Sequence, residues 1–327
     1  MTVDAPSTLV IAVLTFRRPA DIAEVLPLLV DQLEEAAPII ARRRIVVVDN
    51  DPEGSAEPVI AAAVEAIDAG RVDPGAAADR VHYVHEPLPG ISAARNRALD
   101  EARNDDLLVF IDDDERPTEH WLHDLLLLRE RTCAAAVVGP VVSRFDVEPD
   151  AFIRAGRFFD RRRLPTGTDI QVAATNNLLL DLREIRRMGL RFDEASGTTG
   201  GEDTLFTRAI RANGGRMVWC DEAVVHDIVP AARSTRRWVL LRAFSSGNSW
   251  GLTSVRLAER PAARVRTIAA LHGSALSRLA GGGARAALGV ALRDEAHRAR
   301  GLRSAARGAG MLLGAWGVPY REYRRRS

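Results

Sequence analysis

Short apolar segments that end in polar residues constrain the fold of this chain most. Four of them precede residue 115, and none contains a charged residue: 9–15, 45–48, 81–84 and 107–111. Uninterrupted segments of this length are typical of strands covered on both faces. Helical patterns lie between them, for example the apolar residues that follow Pro19 at helical spacing: Ile22, Val25, Leu26 and Leu29. This alternation predicts an α/β fold with a Rossmann-like, mixed but mainly parallel sheet flanked by helices.

The charge distribution predicts two parts in the chain. The formal net charge of the 327 residues is only +1. Residues 1–227 carry a net −14, however, and residues 228–327 carry a net +15. We therefore expect a catalytic or binding domain over 1–227 and an Arg-rich helical extension over 228–327. The sequence contains no Lys, which excludes mechanisms that need one, such as a Schiff base or a P-loop.

Cysteine content and hydropathy predict a cytoplasmic protein. Cys133 and Cys220 are the two cysteines, so we expect no disulfide framework and a reducing compartment. The first residues lack the pattern of a secretory signal. The longest uncharged segments have 13 residues, whereas a membrane-spanning helix needs roughly 20.

Three consecutive carboxylates, Asp112-Asp113-Asp114, directly follow the fourth apolar segment. They repel one another, and their burial without a cation would be costly. A hard divalent ion would relieve that repulsion, since Mg²⁺ or Mn²⁺ binds one or two carboxylates and completes its shell with water and phosphates. The alternative is a solvated acidic loop. The position at the end of a buried strand favours the metal.

Polar residues at two other positions suit a nucleotide. Asp49-Asn50-Asp51 follows the second strand, where an amide or carboxylate can pair with a pyrimidine base, although ordinary turn residues look the same. Arg95 lies in the first turn of the helix after Gly90, and an Arg there suits a diphosphate. The alternative for Arg95 is a solvated side chain on an ordinary capped helix. Parallel sheets bind ligands beyond the carboxyl ends of their strands, where Thr15, the Asp49-Asn50-Asp51 motif and the three aspartates lie.

Two further motifs allow a catalytic or a structural interpretation. Glu202 and Asp203 follow Gly200-Gly201, where one of them could act as a general base. Acids are also favoured in a first helical turn by the helix dipole. His226 follows an apolar Ala-Val-Val segment and is either a strand-end histidine or a further metal ligand.

The order of these motifs resembles the family-two inverting glycosyltransferases of the GT-A fold. The resemblance covers about residues 8–250 and includes Asn177, Gly189 and Arg208 between or beside the motifs. Residues 221–249 are similar to a narrower branch that includes glucosyltransferases of the succinoglycan-biosynthesis type.

The resemblance implies a role for each motif residue. Asp203 would be the catalytic base with Glu202 beside it, and Mg²⁺ or Mn²⁺ would bind Asp114, with Asp113 and His226 as further ligands. A nucleoside-diphosphate sugar donor would contact eight residues: Thr15, Arg17, Asp49, Asn50, Arg95, Asp112, Asp113 and Asn177. The activity would be transfer to a hydroxyl of a saccharide or lipid-linked acceptor, in cell-surface polysaccharide or glycolipid assembly. At position 50, where this chain has Asn, many relatives carry a second Asp. The nucleobase of the donor therefore stays open.

Two other functions fit parts of the pattern. A nucleotidyltransferase could share the sheet and the carboxylates, but such enzymes typically need a glycine-rich loop after the first strand, and residues 15–19 contain no Gly. A non-catalytic nucleotide-sugar-binding protein is the second alternative, and the presence of both Asp114 and Asp203 argues against it.

The basic extension has three interpretations. Arg256, Arg260 and Arg264 recur every four residues, and another three arginines recur every seven: Arg293, Arg300 and Arg307. Such faces suit peripheral attachment to the anionic inner face of the cell membrane, with apolar and aromatic anchors near the end: Leu312, Leu313, Trp316, Tyr320 and Tyr323. A solvated bundle packed on the first domain is the structural alternative. Nucleic acid is not expected as a partner, because residues 256–307 contain no Phe, Trp or Tyr.

Overall fold

A computed structural model of the chain describes residues 7–70, 77–194, 201–258 and 260–320. These residues divide into two compact units. The first unit holds residues 7–70, 77–142, 161–194 and 202–227, and the second holds residues 143–160, 201, 228–258 and 260–320. The second unit thus contains the basic region together with the segment 143–160, which the sequence-based boundary placed in the first part.

The described strands are β1 (Thr8–Thr15), β2 (Arg42–Asp49), β3 (Val81–His85), β4 (Leu107–Asp112), β5 (Glu115–Pro117), β6 (Ala136–Val138), β7 (Val141–Phe145), β8 (Asn177–Asp181), β9 (Met217–Trp219) and β10 (Val225–Val229). The described α-helices are α1 (Pro19–Glu35), α2 (Glu57–Ala69), α3 (Ile91–Glu101), α4 (Trp121–Thr132), α5 (Ala151–Gly156), α6 (Leu182–Met188), α7 (Glu202–Ala212), α8 (Arg236–Arg256), α9 (Pro261–Ala291) and α10 (Glu295–Ala315).

Seven strands of the first unit form one sheet in the order β3-β2-β1-β4-β8-β6-β9. Strands β1 to β4 run parallel, whereas β8 is antiparallel to both of its neighbours, β4 and β6. The predicted mixed, mainly parallel sheet is therefore confirmed. Strand β8 begins at Asn177, and Gly139 and Pro140 separate β6 from β7.

The sheet lies between two apolar layers because alternate side chains of a strand point to opposite faces. All eight residues of β1 are buried. Leu9, Ile11 and Val13 join a core cluster with α1, α2 and α4, whereas the intervening residues join a second cluster with α3, α6 and α7. This three-layer arrangement explains why the strands lack the polar alternation of a half-exposed sheet.

The register of the parallel strands brings the polar strand ends together. Thr15 at the end of β1 pairs with Asp49 at the end of β2, and Leu14 pairs with Asp112 at the end of β4. The three motifs therefore share one edge of the sheet. This is the edge at which the crevice of an open α/β sheet forms.

The second unit is built around α10, which packs against α8, α9 and α5. The contact with α8 depends on glycine. A Cβ atom on Gly310 would lie 2.0 Å from the carbonyl oxygen of Phe244, and one on Gly247 would lie 2.1 Å from that of Arg307. Glycine thus lets the two helix backbones approach closely.

Several arginines of α10 point into the second unit. The Nε atom of Arg300 donates to the carbonyl of Ala155 at 2.9 Å, and Arg303 donates to the carbonyl of Gly156 at 3.2 Å, so both bond the end of α5. Burial and the neighbouring Arg278 lower the pKa of Arg307. The arginines that recur every seven residues therefore do not form a uniform solvent-facing stripe. Tyr323 lies outside the described residues, among which no helix has the length and apolarity needed to cross a membrane.

Candidate active site

A single guanidinium group bridges two carboxylates at the edge of the sheet. The Nη1 atom of Arg18 lies 3.0 Å from Oδ1 of Asp113 and 2.7 Å from Oδ2 of Asp114. The hydroxyl of Thr15 donates to the other oxygen of Asp113 at 2.8 Å. Residues from the end of β1 and the start of α1 therefore fix the carboxylates that follow β4.

Burial makes this carboxylate cluster costly to ionise. It raises the pKa of Asp112 to about 6, assisted by the charge of Asp114 and opposed by Arg95, Arg18 and Arg161. Burial also raises the pKa of Asp113 to about 7, although Arg18 and the Thr15 hydroxyl oppose that rise. Both side chains thus need cations close by to remain charged at neutral pH.

Glu115 braces the turn that carries the three aspartates. Its carboxylate accepts the backbone N–H of Asp112 at 3.2 Å and the side-chain amide of Asn176 at 2.6 Å. Glu115 is 1% exposed, and burial, with the charge of Asp112, raises its pKa well above the ordinary value. In the antiparallel pair of β5 and β10 it lies opposite Asp227, which forms an ion pair with Arg161.

Asp49 at the end of β2 and Asn50 after it organise the neighbouring loops. The Asp49 carboxylate accepts the backbone N–H groups of Asp51 and Ala56, both at 2.9 Å. Asn50 donates its amide to the carbonyls of Glu86 and Leu88 and accepts the N–H of Gly90 at 3.0 Å. These bonds shape the entry to α3. Contacts of Asp49 or Asn50 with a nucleotide base stay a prediction.

Arg17 and Arg18 have different partners although they are adjacent. Arg17 has a positive φ of 55° and pairs with Asp51 at 3.1 Å, with half of its side chain exposed. Its neighbour points to the carboxylate cluster instead. Sequence reasoning selected Arg17 and missed Arg18, which lies immediately before Pro19 at the start of α1.

A buried ion pair joins α3 to the start of α7. Nη1 of Arg95 lies 2.6 Å from Oε1 of Glu202, and both side chains are 8% exposed. The Arg95 guanidinium also lies over the ring of Phe192. Nε of Arg95 and Oε2 of Glu202 have no hydrogen-bond partner among the described residues. The pair therefore has one donor and one acceptor still available for a hydrogen bond inside the site.

Asp203 follows Glu202 in the first turn of α7. Its carboxylate accepts the N–H of Thr204 at 2.6 Å. Burial, together with the negative charge of Glu202, raises the pKa of Asp203, and Arg95 opposes that rise. Arg95 also opposes the rise in the pKa of Asp112, so one cation lies within electrostatic reach of both acids. A carboxylate with a raised pKa is suited to accept a proton.

Two further residues that the sequence predicted for the site, Asn177 and His226, lie on β8 and β10. Asn177 is 1% exposed, donates its amide to the carbonyls of Pro140 and Ala223, and accepts the indole N–H of Trp121. Its side chain thus ties β8 to three other segments of the core, and a ligand contact stays a prediction. His226 on β10 lies opposite Arg116 of β5, and its role as a metal ligand is also a prediction.

The oxygen atoms of the carboxylate cluster are ligands of the kind that a divalent cation prefers. Oxygens from Asp113 and Asp114 already converge on one cationic nitrogen, Arg18 Nη1. Mg²⁺ often binds one or two protein carboxylates and takes its other ligands from water and phosphates. Within the described ranges no three His, Cys, Asp or Glu side chains are already grouped as a metal site. The fit therefore rests on two carboxylates rather than on a closed protein cage.

Sequence reasoning missed five residues that shape the site, and their partners are distant in sequence: Arg18, Glu115, Arg161, Asn176 and Asp227. Glu115 had the clearest signal, since it directly follows the three aspartates. The other four have no local signal, because their partners become neighbours only through the β5–β10 pairing and the strand order.

Comparison with solved structures identifies the fold class. The mannosyltransferase PcManGT from Pyrobaculum calidifontis, solved in complex with GDP-Man and Mn²⁺, matches with a TM-score of 0.58 at 18% identity, over 96% of this chain and 90% of that chain. TarS of S. aureus matches with a TM-score of 0.51 at 13% identity, over 80% of this chain. The chain spans 41% of the length of TarS. The architecture is that of the GT-A glycosyltransferases.

Sequence comparison identifies the family. The model of glycosyl transferase family 2 matches residues 10–182. The succinoglycan biosynthesis protein ExoM of Rhizobium meliloti (strain 1021) is 37% identical over 241 residues, which are 74% of this chain and 73% of that protein. The chain belongs to glycosyl transferase family 2 and is a glycosyltransferase, as its motifs predicted.

Proposed function

We propose that this glycosyltransferase uses Mg²⁺ or Mn²⁺ and transfers a sugar from a nucleoside-diphosphate sugar to a hydroxyl group with inversion. The convergence of the Asp113 and Asp114 oxygens on one cationic nitrogen, at the ligand-binding edge of the sheet, is the observation that carries the proposal. The acceptor is a saccharide or a lipid-linked saccharide in polysaccharide assembly, by analogy with the relative from succinoglycan biosynthesis.

Asp203 is the proposed base. Its carboxylate takes the proton from the acceptor hydroxyl while that oxygen attacks the anomeric carbon. Burial raises its pKa towards the working pH, which suits a group that must accept a proton and later release it. Glu202 anchors the turn through its ion pair with Arg95.

Asp113 and Asp114 are the proposed metal ligands. A bound divalent cation would supply Lewis-acid stabilisation of the diphosphate leaving group. Thr15 and Glu115 hold the carboxylate turn in place, through Asp113 and through the backbone of Asp112. His226 is the proposed further ligand of this cation.

Product analysis tests the reaction class. The purified protein, supplied with nucleotide-sugars and Mn²⁺ or Mg²⁺, should release nucleoside diphosphate, whereas pyrophosphate release would indicate a nucleotidyltransferase. Asp203→Asn should lower kcat by about 10²- to 10⁴-fold. It should still be stabilised thermally by the nucleotide-sugar. Asp100→Asn, which alters an exposed acid paired with Arg191, is the matched control and should retain activity.

We also propose that the second unit attaches to an anionic membrane surface through α9. This helix of 31 residues contains four Arg and no acid. Apolar side chains lie exposed along it, namely Val265 at 67%, Leu276 at 58%, Leu288 at 47% and Val290 at 63%. Exposed apolar groups beside arginines are typical of helices that lie in a membrane interface.

Vesicle flotation tests the attachment. The wild-type protein should float with vesicles that contain phosphatidylglycerol, and Val265→Asp with Leu276→Asp should reduce the bound fraction severalfold. Val147→Asp, at an exposed position of the second unit outside α9, is the control and should leave binding unchanged. Equal flotation of all three proteins would contradict the role of α9.

A further inference from the structure

We propose that Arg18 is a resident counter-cation of the Asp113–Asp114 pair, which a divalent cation must displace in order to bind there. The inference rests on the metal site proposed above and concerns the regulation of that site. It predicts that the carboxylate pair exchanges one cation for another rather than accepting a metal beside the arginine.

Arg18 already occupies the space between the two carboxylates, which leaves little room there for a second positive charge. One nitrogen of Arg18 lies 3.0 Å and 2.7 Å from oxygens of the two carboxylates that are the proposed metal ligands. The two carboxylates are mostly buried, with side-chain exposures of 5% and 15%. Like charges at such distances, with little water to screen them, repel strongly. A metal between these carboxylates and Arg18 in its present position therefore exclude each other.

The position of Arg18 allows the exchange without refolding. Arg18 precedes α1, and its carbonyl accepts the N–H of Ile22 at 3.2 Å, so its backbone is held by the helix start. Its side chain is 33% exposed and makes no capping bond. Rotation of this long side chain alone can move the guanidinium towards solvent while the backbone bonds remain.

Thr15 holds one carboxylate of the pair, that of Asp113, independently of Arg18. Its hydroxyl bonds the oxygen of Asp113 that Arg18 does not touch. The carboxylate therefore retains one fixed partner while the other oxygen changes its cation. This contact can therefore hold the Asp113 side chain in place when Arg18 leaves.

Mn²⁺ affinity without nucleotide tests the competition. We expect Arg18→Ala to bind Mn²⁺ at least tenfold more tightly than the wild type, measured by the free Mn²⁺ signal in electron paramagnetic resonance. Arg17→Ala is the matched control, because Arg17 pairs with Asp51 instead, and its affinity should remain within twofold of the wild type. Equal affinities of Arg18→Ala and the wild type would overturn the inference.

Labelling of the wild-type protein tests the displacement itself and needs no folded variant. Phenylglyoxal should modify Arg18 several times faster when Mn²⁺ is present, whereas modification of the half-exposed Arg17 should not change, as read by mass spectrometry. Slower or unchanged labelling of Arg18 would overturn the inference even where Mn²⁺ binds.

The two proposals fail in different ways. If neither the wild type nor Arg18→Ala binds Mn²⁺ or Mg²⁺, the metal site itself is refuted, and the inference with it. If the metal binds and Asp114→Asn abolishes the binding, the site is supported. In that case the affinity of Arg18→Ala and the labelling rate alone decide whether Arg18 is displaced.

Discussion

Replacement of Arg95 by Met should destabilise the protein more than replacement of its partner Glu202 by Gln. The two side chains form a buried pair at 2.6 Å. Burial raises the pKa of both Asp112 and Asp203, and Arg95 opposes both rises, so this cation serves three acids. Arg95→Met removes this cation from all three acids. Glu202→Gln leaves the guanidinium within electrostatic reach of Asp112 and Asp203, whose negative charges continue to balance it.

The expected magnitudes follow from this asymmetry. Removal of one partner of a buried ion pair costs about 3–5 kcal/mol, and we expect Arg95→Met to fall in this range at pH 8. Glutamine at position 202 still offers an oxygen to Arg95, so we expect Glu202→Gln to cost about 1–2 kcal/mol. The penalty for Arg95→Met should shrink at pH 5.5, because acids with raised pKa values take up protons there and no longer need the cation.

Urea denaturation without metal, at pH 8 and at pH 5.5, measures both quantities. Arg191→Met is the control, since Arg191 and Asp100 form a pair in which both side chains are about half exposed, and its cost should stay below about 1 kcal/mol. The reasoning is refuted if Glu202→Gln costs as much as Arg95→Met, or if the penalty for Arg95→Met is the same at both pH values.

Other predictions concern the carboxylate cluster and the helical unit. Burial raises the folded-state pKa of Asp112 to about 6 and of Asp113 to about 7 from 3.8, so their protonated forms stabilise the fold below about pH 4, and this stability is lost as the pH rises through 6 to 7. The Tm of the metal-free protein should therefore fall between pH 5 and 8, and a rising Tm would contradict this. Gly310→Ala should cost about 1–3 kcal/mol or more in urea denaturation, because its Cβ would meet the Phe244 carbonyl. The matched change Gly283→Ala has no atom within 4 Å and should stabilise α9 by up to about 1 kcal/mol; losses of equal size would refute the packing argument.

The sequence predicted the parts of the site that depend on strand ends. Apolar segments followed by polar residues are sufficient to place Thr15, Asp49 and Asp112 at one edge, because parallel strands end on the same side of a sheet. Contacts between segments that are distant in the chain could not be predicted from the sequence. A polar residue on a buried strand, such as Asn177, looks like a ligand group in the sequence. Its partners, the carbonyls of Pro140 and Ala223, become neighbours only in the folded chain.

The choice between Arg17 and Arg18 shows the same limit on a smaller scale. Both residues lie between β1 and α1, and both carry the same side chain. A positive φ of 55° at Arg17 turns the chain so that its side chain meets Asp51, while Arg18 meets the aspartates after β4. Backbone conformation at one residue thus decides which arginine meets the carboxylate cluster, and the residue type gives no signal of it. The contact of Arg17 with the donor stays a prediction.

The absence of Lys gives the site a particular electrostatic character. Every side chain that remains positively charged at neutral pH is an arginine, whose guanidinium is weakly hydrated and does not lose its proton in proteins. Arg18 and Arg95 therefore stay charged at any working pH, and the pH response of the site falls on its acids. The guanidinium also has several donors in fixed directions, but Arg18 uses a single nitrogen for both aspartates. A cation bound through one atom can be replaced by a cation that is itself one atom, which is why exchange with a divalent metal suits this arginine.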